Sequence, residues 1–244
     1  MEDWLDRTAL LIGQLQLEQI KKATIAIVGL GGVGGACAEA ICRTGVENLI
    51  LIDNDVIEVT NINRQLLATT KTLGMKKVEA ALFRMESINP KSKITALDIF
   101  YNTQTSSQLF SLNPDFVVDA IDTVSSKLIL IEECQKHNVP IISCMGTGNR
   151  IDPTMFKIGD IADTAGNGCG LSRVMRHELK KRGINKLDVL YSTVPPESNA
   201  VSDVQNGRHS PASISFCPPV AGYIIASHVI KSILSNKKDN TTLK

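Results

Sequence analysis

Gly29-Leu30-Gly31-Gly32-Val33-Gly34 fits the spacing G-x-G-x-x-G, and Asp53 stands 19 residues beyond its last glycine. Glycines at that spacing let a backbone approach a phosphate at a helix N-terminus, and a carboxylate so placed can take hydrogen bonds from both ribose hydroxyls. The pattern points to a nucleotide. On its own it suits NAD as well as a nucleoside triphosphate.

Downstream come Asn61-Ile62-Asn63-Arg64-Gln65, then Gly74-Met75-Lys76-Lys77, then Asp119-Ala120-Ile121-Asp122. A triphosphate carries about four negative charges, so activating it requires cations on the phosphates and a carboxylate to hold magnesium, needs that NAD does not share. Arg64 and Lys77 supply the cations and Asp122 the carboxylate. Each also has a plainer reading: Arg64 as a surface cation, Lys77 as a solvated helix residue, Asp122 as the N-cap of the helix that follows. Their order behind the glycine loop is what favours ATP.

This set resembles the ubiquitin-activating-enzyme-like adenylyltransferases over about residues 7–160. The resemblance implies an ATP site made of Gly29, Gly31, Gly32, Gly34, Asp53, Asn61, Arg64, Gln65, Lys77 and Asp122, with magnesium on Asp122. It also implies a homodimer in which Arg7, six residues before Gly13, serves the other subunit's site. Within the superfamily the chain is most similar to the tRNA threonylcarbamoyladenosine dehydratases. The residues that carry this are Arg7–Gly13, Thr60–Gln65, Met145-Gly146 with Asp152-Pro153-Thr154, Asp160–Thr164 and Pro218–Gly222. That likeness covers nearly the whole chain. It implies an ATP-dependent, acyl-adenylate-forming enzyme acting on tRNA, and it leaves room for a sulfur-relay protein as a partner. The alternative within the superfamily is activation of the C-terminal glycine of a ubiquitin-like sulfur carrier. Such activators typically hold zinc with two C-x-x-C pairs, and the six cysteines here (37, 42, 134, 144, 169 and 217) form none, so no structural zinc is expected.

The elements needed to place these residues are legible. Residues 8–22 read as amphipathic helix, interrupted by Gly13. ATIAIVGL is a short β-branched apolar run that leads through the glycines into an apolar-periodic helix ending near Gly45. A strand at 48–53, helix 75–88, strand 93–98, helix 104–111, strand 115–119, helix 124–137 and strand 140–145 follow. Alternating helices and nearly continuous apolar strands predict a Rossmann-like, doubly wound, mainly parallel sheet with helices on both faces. After residue 150 the rhythm fails. One or two short strands are expected in 151–162, a Gly-rich mobile stretch at 163–170, a basic helix at 171–182 and a strand at 187–193. A long loop at 194–213, a strand at 213–217 and a helix at 220–235 complete the C-terminal extension. The expected organisation is one domain over 1–244: an N-terminal helix (1–22), a nucleotide-binding core (23–150) and a C-terminal part (151–244) whose segment 163–186 is mobile.

Composition sets the outer limits. With 244 residues, 43% of them hydrophobic, the chain is long enough for one large core, and disordered or fibrous classes are excluded. Its 26 basic and 25 acidic residues exclude a uniformly basic nucleic-acid binder, so a tRNA must meet a local patch. Arg173, Arg176, Lys180, Lys181, Arg182 and Lys186 are the candidates, with Leu171, Val174, Met175 and Leu179 expected to pack beneath them. The competing reading is a helix C-terminus whose cations offset the macrodipole. No apolar run resembles a membrane span, and the acidic N-terminus is unlike a signal peptide, so the expected location is the cytoplasm. Most cysteines read as small core residues, with Cys169 the most exposed thiol.

Overall fold

The computed structural model describes residues 3–198, 203–205 and 208–235. The chain opens with two helices, α1 (Asp6–Ile12) and α2 (Gln14–Lys22), which divide at the Gly13 interruption of the amphipathic pattern. Gly13, at φ +87°, makes the break. Leu17 and Ile20 then turn α2 inward.

The doubly wound core follows in the expected order. β1 (Thr24–Val28) leads into α3 (Gly32–Arg43), and β2 (Asn48–Ile52) into a long connection, α4 (Lys77–Ile88) and β3 (Lys93–Leu97). Then come α5 (Ser106–Phe110), β4 (Phe116–Asp119), α6 (Val124–Lys136) and β5 (Ile141–Cys144). β6 (Phe156–Asp160), α7 (Gly170–Lys181) and β7 (Asp188–Ser192) join the same sheet, whose order is β3-β2-β1-β4-β5-β7-β6. Neighbouring strands are parallel except β6, which runs antiparallel to β7.

Strand alternation divides the core. Ile25, Ile27, Leu49 and Leu51 face one way, with Ala38, Ile41, Val78 and Met85. Ala26, Val28, Ile50 and Ile52 face the other, with Leu109 and Leu130. Side chains that alternate across a pleated sheet and are buried on both sides require helices on both faces. The last helix, α8 (Cys217–Ser235), is long and apolar enough by composition to cross a membrane, yet Ala221, Ile225 and Val229 are buried in the first of these clusters.

Two expectations in the C-terminal part change. The strand expected at 213–217 is absent: 211–214 has no regular structure and α8 already begins at Cys217, because prolines at 218 and 219 suit the first turn of a helix, where no N–H partner is needed. The stretch 194–213 contains a hairpin of β8 (Asp203–Gln205) and β9 (Arg208–Ser210), with residues 199–202 and 206–207 outside the described part. Segment 151–162 holds one strand, β6, preceded by a 3-10 turn at Pro153–Met155.

Topology then places a crevice. The chain runs β1, β2, β3 outward on one side and crosses back to start β4 on the other side of β1, so the loops after β1 and β4 diverge at the carboxyl edge. Ligands of open α/β sheets bind at such a switch point.

Candidate nucleotide site

A cavity of about 610 Å³ lies at that point. Its walls come from the loop after β1 (Gly29, Gly31, Gly32), the end of β2 (Asp53 to Asp55), Arg64 and Gln65, Lys77, the loop after β4 (Ala120 to Thr123) and the loop after β5 (Thr147, Gly148). Pro211, Ser213 and Pro218 close one side.

The glycine loop is shaped by close contacts. Gly29 has φ +92°, and a Cβ there would lie 2.6 Å from the Ala120 carbonyl oxygen. Asp53 secures the loop from below: Leu30 N–H donates to its Oδ2 at 2.6 Å and Asp55 N–H to its Oδ1 at 2.8 Å. The carboxylate therefore faces the cavity with its orientation set by backbone amides.

Burial raises the Asp53 pKa above its ordinary 3.8, and Lys77 with the two amides offsets only part of that. The sign follows. A raised carboxylate pKa means that the folded state takes up this proton more readily than the unfolded one, so the charge opposes folding above the folded pKa and is relieved as pH falls through it. Ribose hydroxyls bond best to the ionised form. Adenosine affinity is therefore expected to drop on acidification with its midpoint above pH 3.8. Calorimetric titration with adenosine at falling pH checks this, and a midpoint at or below 3.8 contradicts it.

Lys77 begins α4 and is buried, its ammonium 2.7 Å from Asp55 Oδ2 and 4.0 Å from Asp53 Oδ1. The solvated reading of Lys77 is thereby replaced by a desolvated cation aimed at the cavity. Its neighbour Lys76 points elsewhere, to Asp98 at 3.2 Å. Arg64 donates to Thr60 C=O and Asn63 Oδ1, both at 2.9 Å, and lines the cavity from the turn.

Asp122 is exposed on the wall and, among the described residues, its carboxylate bonds only to the Thr123 hydroxyl, at 3.2 Å. Thr123, not Asp122, is the N-cap residue of α6. The capping alternative for Asp122 therefore does not hold.

Three residues expected at the ATP site, Asn61, Arg7 and Gly34, do not line this cavity. Asn61 is buried with its Oδ1 accepting from Glu58 N–H, in a reciprocal cap of the 3-10 turn Val59–Asn61, so it shapes the turn that carries Arg64. Arg7 lies exposed on α1, outside the cavity of its own chain. Gly34 sits beneath the loop, where a Cβ would lie 1.7 Å from Gly29 O.

The structure also supplies residues that spacing did not reveal. Asp55 holds Lys77, and behind the β4 loop Lys127 and Asp119 form a fully buried ion pair at 3.0 Å. The one available signal was a lysine on the otherwise apolar face of α6, among Leu128, Leu130 and Ile131. Cys169, expected to be exposed, is buried as the N-cap of α7 and accepts from Ser172 N–H. Burial pushes its pKa up, but bonds from Ser172 and Gly146 and the charge of Arg150 outweigh that and bring it below the ordinary thiol value.

The candidate tRNA cations separate into two groups. Lys181 and Arg182 are tied to Glu178 at 2.8 and 2.7 Å, and Arg182 also reaches Glu132 at 2.9 Å. Arg176 leans on the Thr164 hydroxyl. Arg173, Lys180 and Lys186 are exposed, and none is in an ion pair among the described residues. Beneath them Met175 and Leu179 are buried as expected, whereas Val174 is exposed.

A switch-point cavity with an amide-held carboxylate, a desolvated lysine and a free wall aspartate describes a nucleotide-binding member of the doubly wound class. The chain belongs to the ThiF family, whose model matches residues 5–244. It is 38% identical over 241 residues to tRNA threonylcarbamoyladenosine dehydratase of Bacillus subtilis (strain 168), with 94% of each chain covered. With the Escherichia coli (strain K12) protein of the same name it shares 31% identity over 93% of this chain and 92% of that one. The crystal structure of E. coli tRNA N6-threonylcarbamoyladenosine dehydratase, TcdA, in complex with ATP aligns with a TM-score of 0.88 at 31% identity, covering 96% of this chain and 95% of that chain.

Proposed function

We propose that the chain catalyses the ATP-dependent dehydration of N6-threonylcarbamoyladenosine in tRNA. The observation that carries this is the cavity itself: Asp53, Arg64, Lys77 and Asp122 converge on one space at the switch point, in a chain that matches dehydratases over 93–94% of its length. A carboxylate is a poor electrophile because its leaving group would be oxide. In the first step a carboxylate oxygen of the threonyl group bonds to the α-phosphorus of ATP, and the bond to the β-phosphate oxygen breaks to release pyrophosphate. The substrate's own carbamoyl group then attacks the acyl carbon and displaces AMP, closing a ring with net loss of water.

Asp53 orients the ribose, and the backbone around Gly31 and Gly32 approaches the phosphates. Lys77 and Arg64 offset charge on the phosphates as it shifts toward pyrophosphate. These roles need only positioning and electrostatics, and no general base is required for adenylation. Magnesium fits this donor set, since it is usually held by one or two carboxylates plus phosphates and water rather than by a protein cage. Asp122 is the carboxylate that would hold it, and the ion would there screen phosphate charge.

Arg7 serves the partner's site in this reading. Leu10, Leu11 and Leu15 are about 85–87% exposed on α1 and α2, an apolar surface next to Arg7 that a second copy of the chain would cover. The tRNA meets Arg173, Lys180 and Lys186, and the enzyme works in the cytoplasm, where tRNA and ATP are found. Replacing those three cations by alanine is expected to weaken tRNA binding and flatten its log–log salt dependence by about 2–3 units, with ATP binding unchanged. Filter binding over a salt series reads this, and an unchanged slope removes the patch from the interface.

Incubating the protein with ATP, magnesium and modified tRNA, followed by mass spectrometry of the nucleosides, tests the reaction. A loss of one water from threonylcarbamoyladenosine is expected. Unchanged nucleoside mass, or pyrophosphate exchange stimulated by a ubiquitin-like carrier instead of tRNA, would reject it.

A further inference from the structure

We propose that Lys127 is a positioning residue for adenylation, holding the loop that presents Asp122 and joining it to the opposite wall of the cavity; this rests on the adenylation reading above. Among the described residues Asp122 has no side-chain anchor beyond the 3.2 Å contact with Thr123, so its place is set by its backbone. That backbone is held at the preceding residue from both sides. Ile121 N–H donates to Asp119 Oδ1 at 3.1 Å, and Lys127 Nζ donates to Ile121 C=O at 3.0 Å. The Ile121–Asp122 peptide plane is thus fixed by the lysine.

The same ammonium donates to Cys144 C=O at 2.9 Å, at the end of β5, from which the chain runs on to Thr147 and Gly148 on the cavity wall. It also forms an ion pair with Asp119 Oδ2 at 3.0 Å, an oxygen that accepts from the Ser143 hydroxyl. Two hydrogen bonds and one ion pair thus surround the ammonium, and both charged side chains have no exposed surface.

Stability alone does not explain the arrangement. Lys127 lies in the first turns of α6, where the helix dipole disfavours a cation, and burying the pair incurs desolvation that apolar residues would avoid. What the pair supplies is a rigid junction between two strand-end loops that face one ligand. Displacing a reacting or charge-stabilising group by about 1 Å can cost on the order of 100-fold in rate.

Lys127→Met alone would strand a buried carboxylate, so the informative variant is Lys127→Met/Asp119→Asn, which removes both charges. It is expected to melt within about 5 °C of the unaltered protein. AMP affinity should stay within about threefold, while magnesium-ATP affinity and pyrophosphate exchange fall by roughly 10- to 100-fold. Ser143→Ala, which removes one support of Asp119 without touching a charge, should raise the magnesium concentration for half-maximal exchange by about threefold and leave AMP affinity unchanged. Exchange and magnesium-ATP affinity at the unaltered level in a folded double variant would overturn the proposal. So would parallel losses of AMP and magnesium-ATP binding, or no shift in Ser143→Ala. Absence of exchange in the unaltered chain would instead overturn the adenylation reading on which it rests.

Discussion

Lys77→Ala is expected to lower ATP–pyrophosphate exchange by about 100- to 1,000-fold while Lys76→Ala leaves it within about twofold. The two lysines are adjacent in sequence and opposite in circumstance. Lys77 is 7% exposed, 2.7 Å from Asp55 and 4.0 Å from Asp53, whereas Lys76 is 40% exposed and bonded to Asp98 away from the cavity. A buried cation has lost its water and interacts with phosphate at low effective dielectric, where one preorganised donor is worth several kcal/mol. The exposed one is screened. Removing Lys77 also takes away the cation that lowers the pKa of the buried Asp53 carboxylate, so that pKa moves further up. Exchange assays on both variants, with melting curves to show that they fold, check the pair of outcomes. Comparable losses in both would show that bulk charge matters and the buried geometry does not.

Gly34→Ala and Gly31→Ala should separate fold from ligand. A Cβ at Gly34 would lie 1.7 Å from Gly29 O and 2.9 Å from the Gly29 carbonyl carbon, both backbone atoms that cannot swing aside. The glycine loop and α3 must move apart, at an expected cost of at least about 3 kcal/mol. That corresponds to a fall of roughly 6–12 °C in melting temperature for a chain of this size. At Gly31 no protein atom lies within 4 Å of the added carbon, and φ of −73° suits any residue. Gly31→Ala should melt within about 2 °C of the unaltered protein. Its methyl group enters the space where phosphate is expected, so ATP affinity should fall at least about tenfold. Denaturation curves and nucleotide titration of the two variants decide this. A stable Gly34→Ala protein, or a Gly31→Ala protein with unchanged affinity, would contradict the assignment.

The order of these effects follows from which residues packing constrains. Nearly continuous apolar runs such as Thr24–Val28 and Asn48–Ile52 can be satisfied only in a doubly covered sheet, and glycine spacing after the first run marks the turn into α3. The strand order, the switch point and the gathering of Gly29, Asp53, Arg64, Lys77 and Asp122 follow from that rhythm. The C-terminal third was less legible because its elements are held by distant partners. β6 is a strand because Phe156–Asp160 pairs with Asp188–Ser192, and α8 starts early because two prolines fit its first turn.

Residue type and spacing by themselves determined the fold class and the family likeness and pointed to a nucleotide, since these rest on short-range rules of periodicity and turn chemistry. Tertiary structure alone decided which lysine is desolvated, that Asn61 caps a turn, that Cys169 is buried, and that three of six basic residues stay unpaired among the described residues. It alone joined Lys127 to Asp119 and to the carbonyls of Ile121 and Cys144. Burial and hydrogen-bond geometry depend on atoms brought together from far along the chain, and no local pattern encodes them.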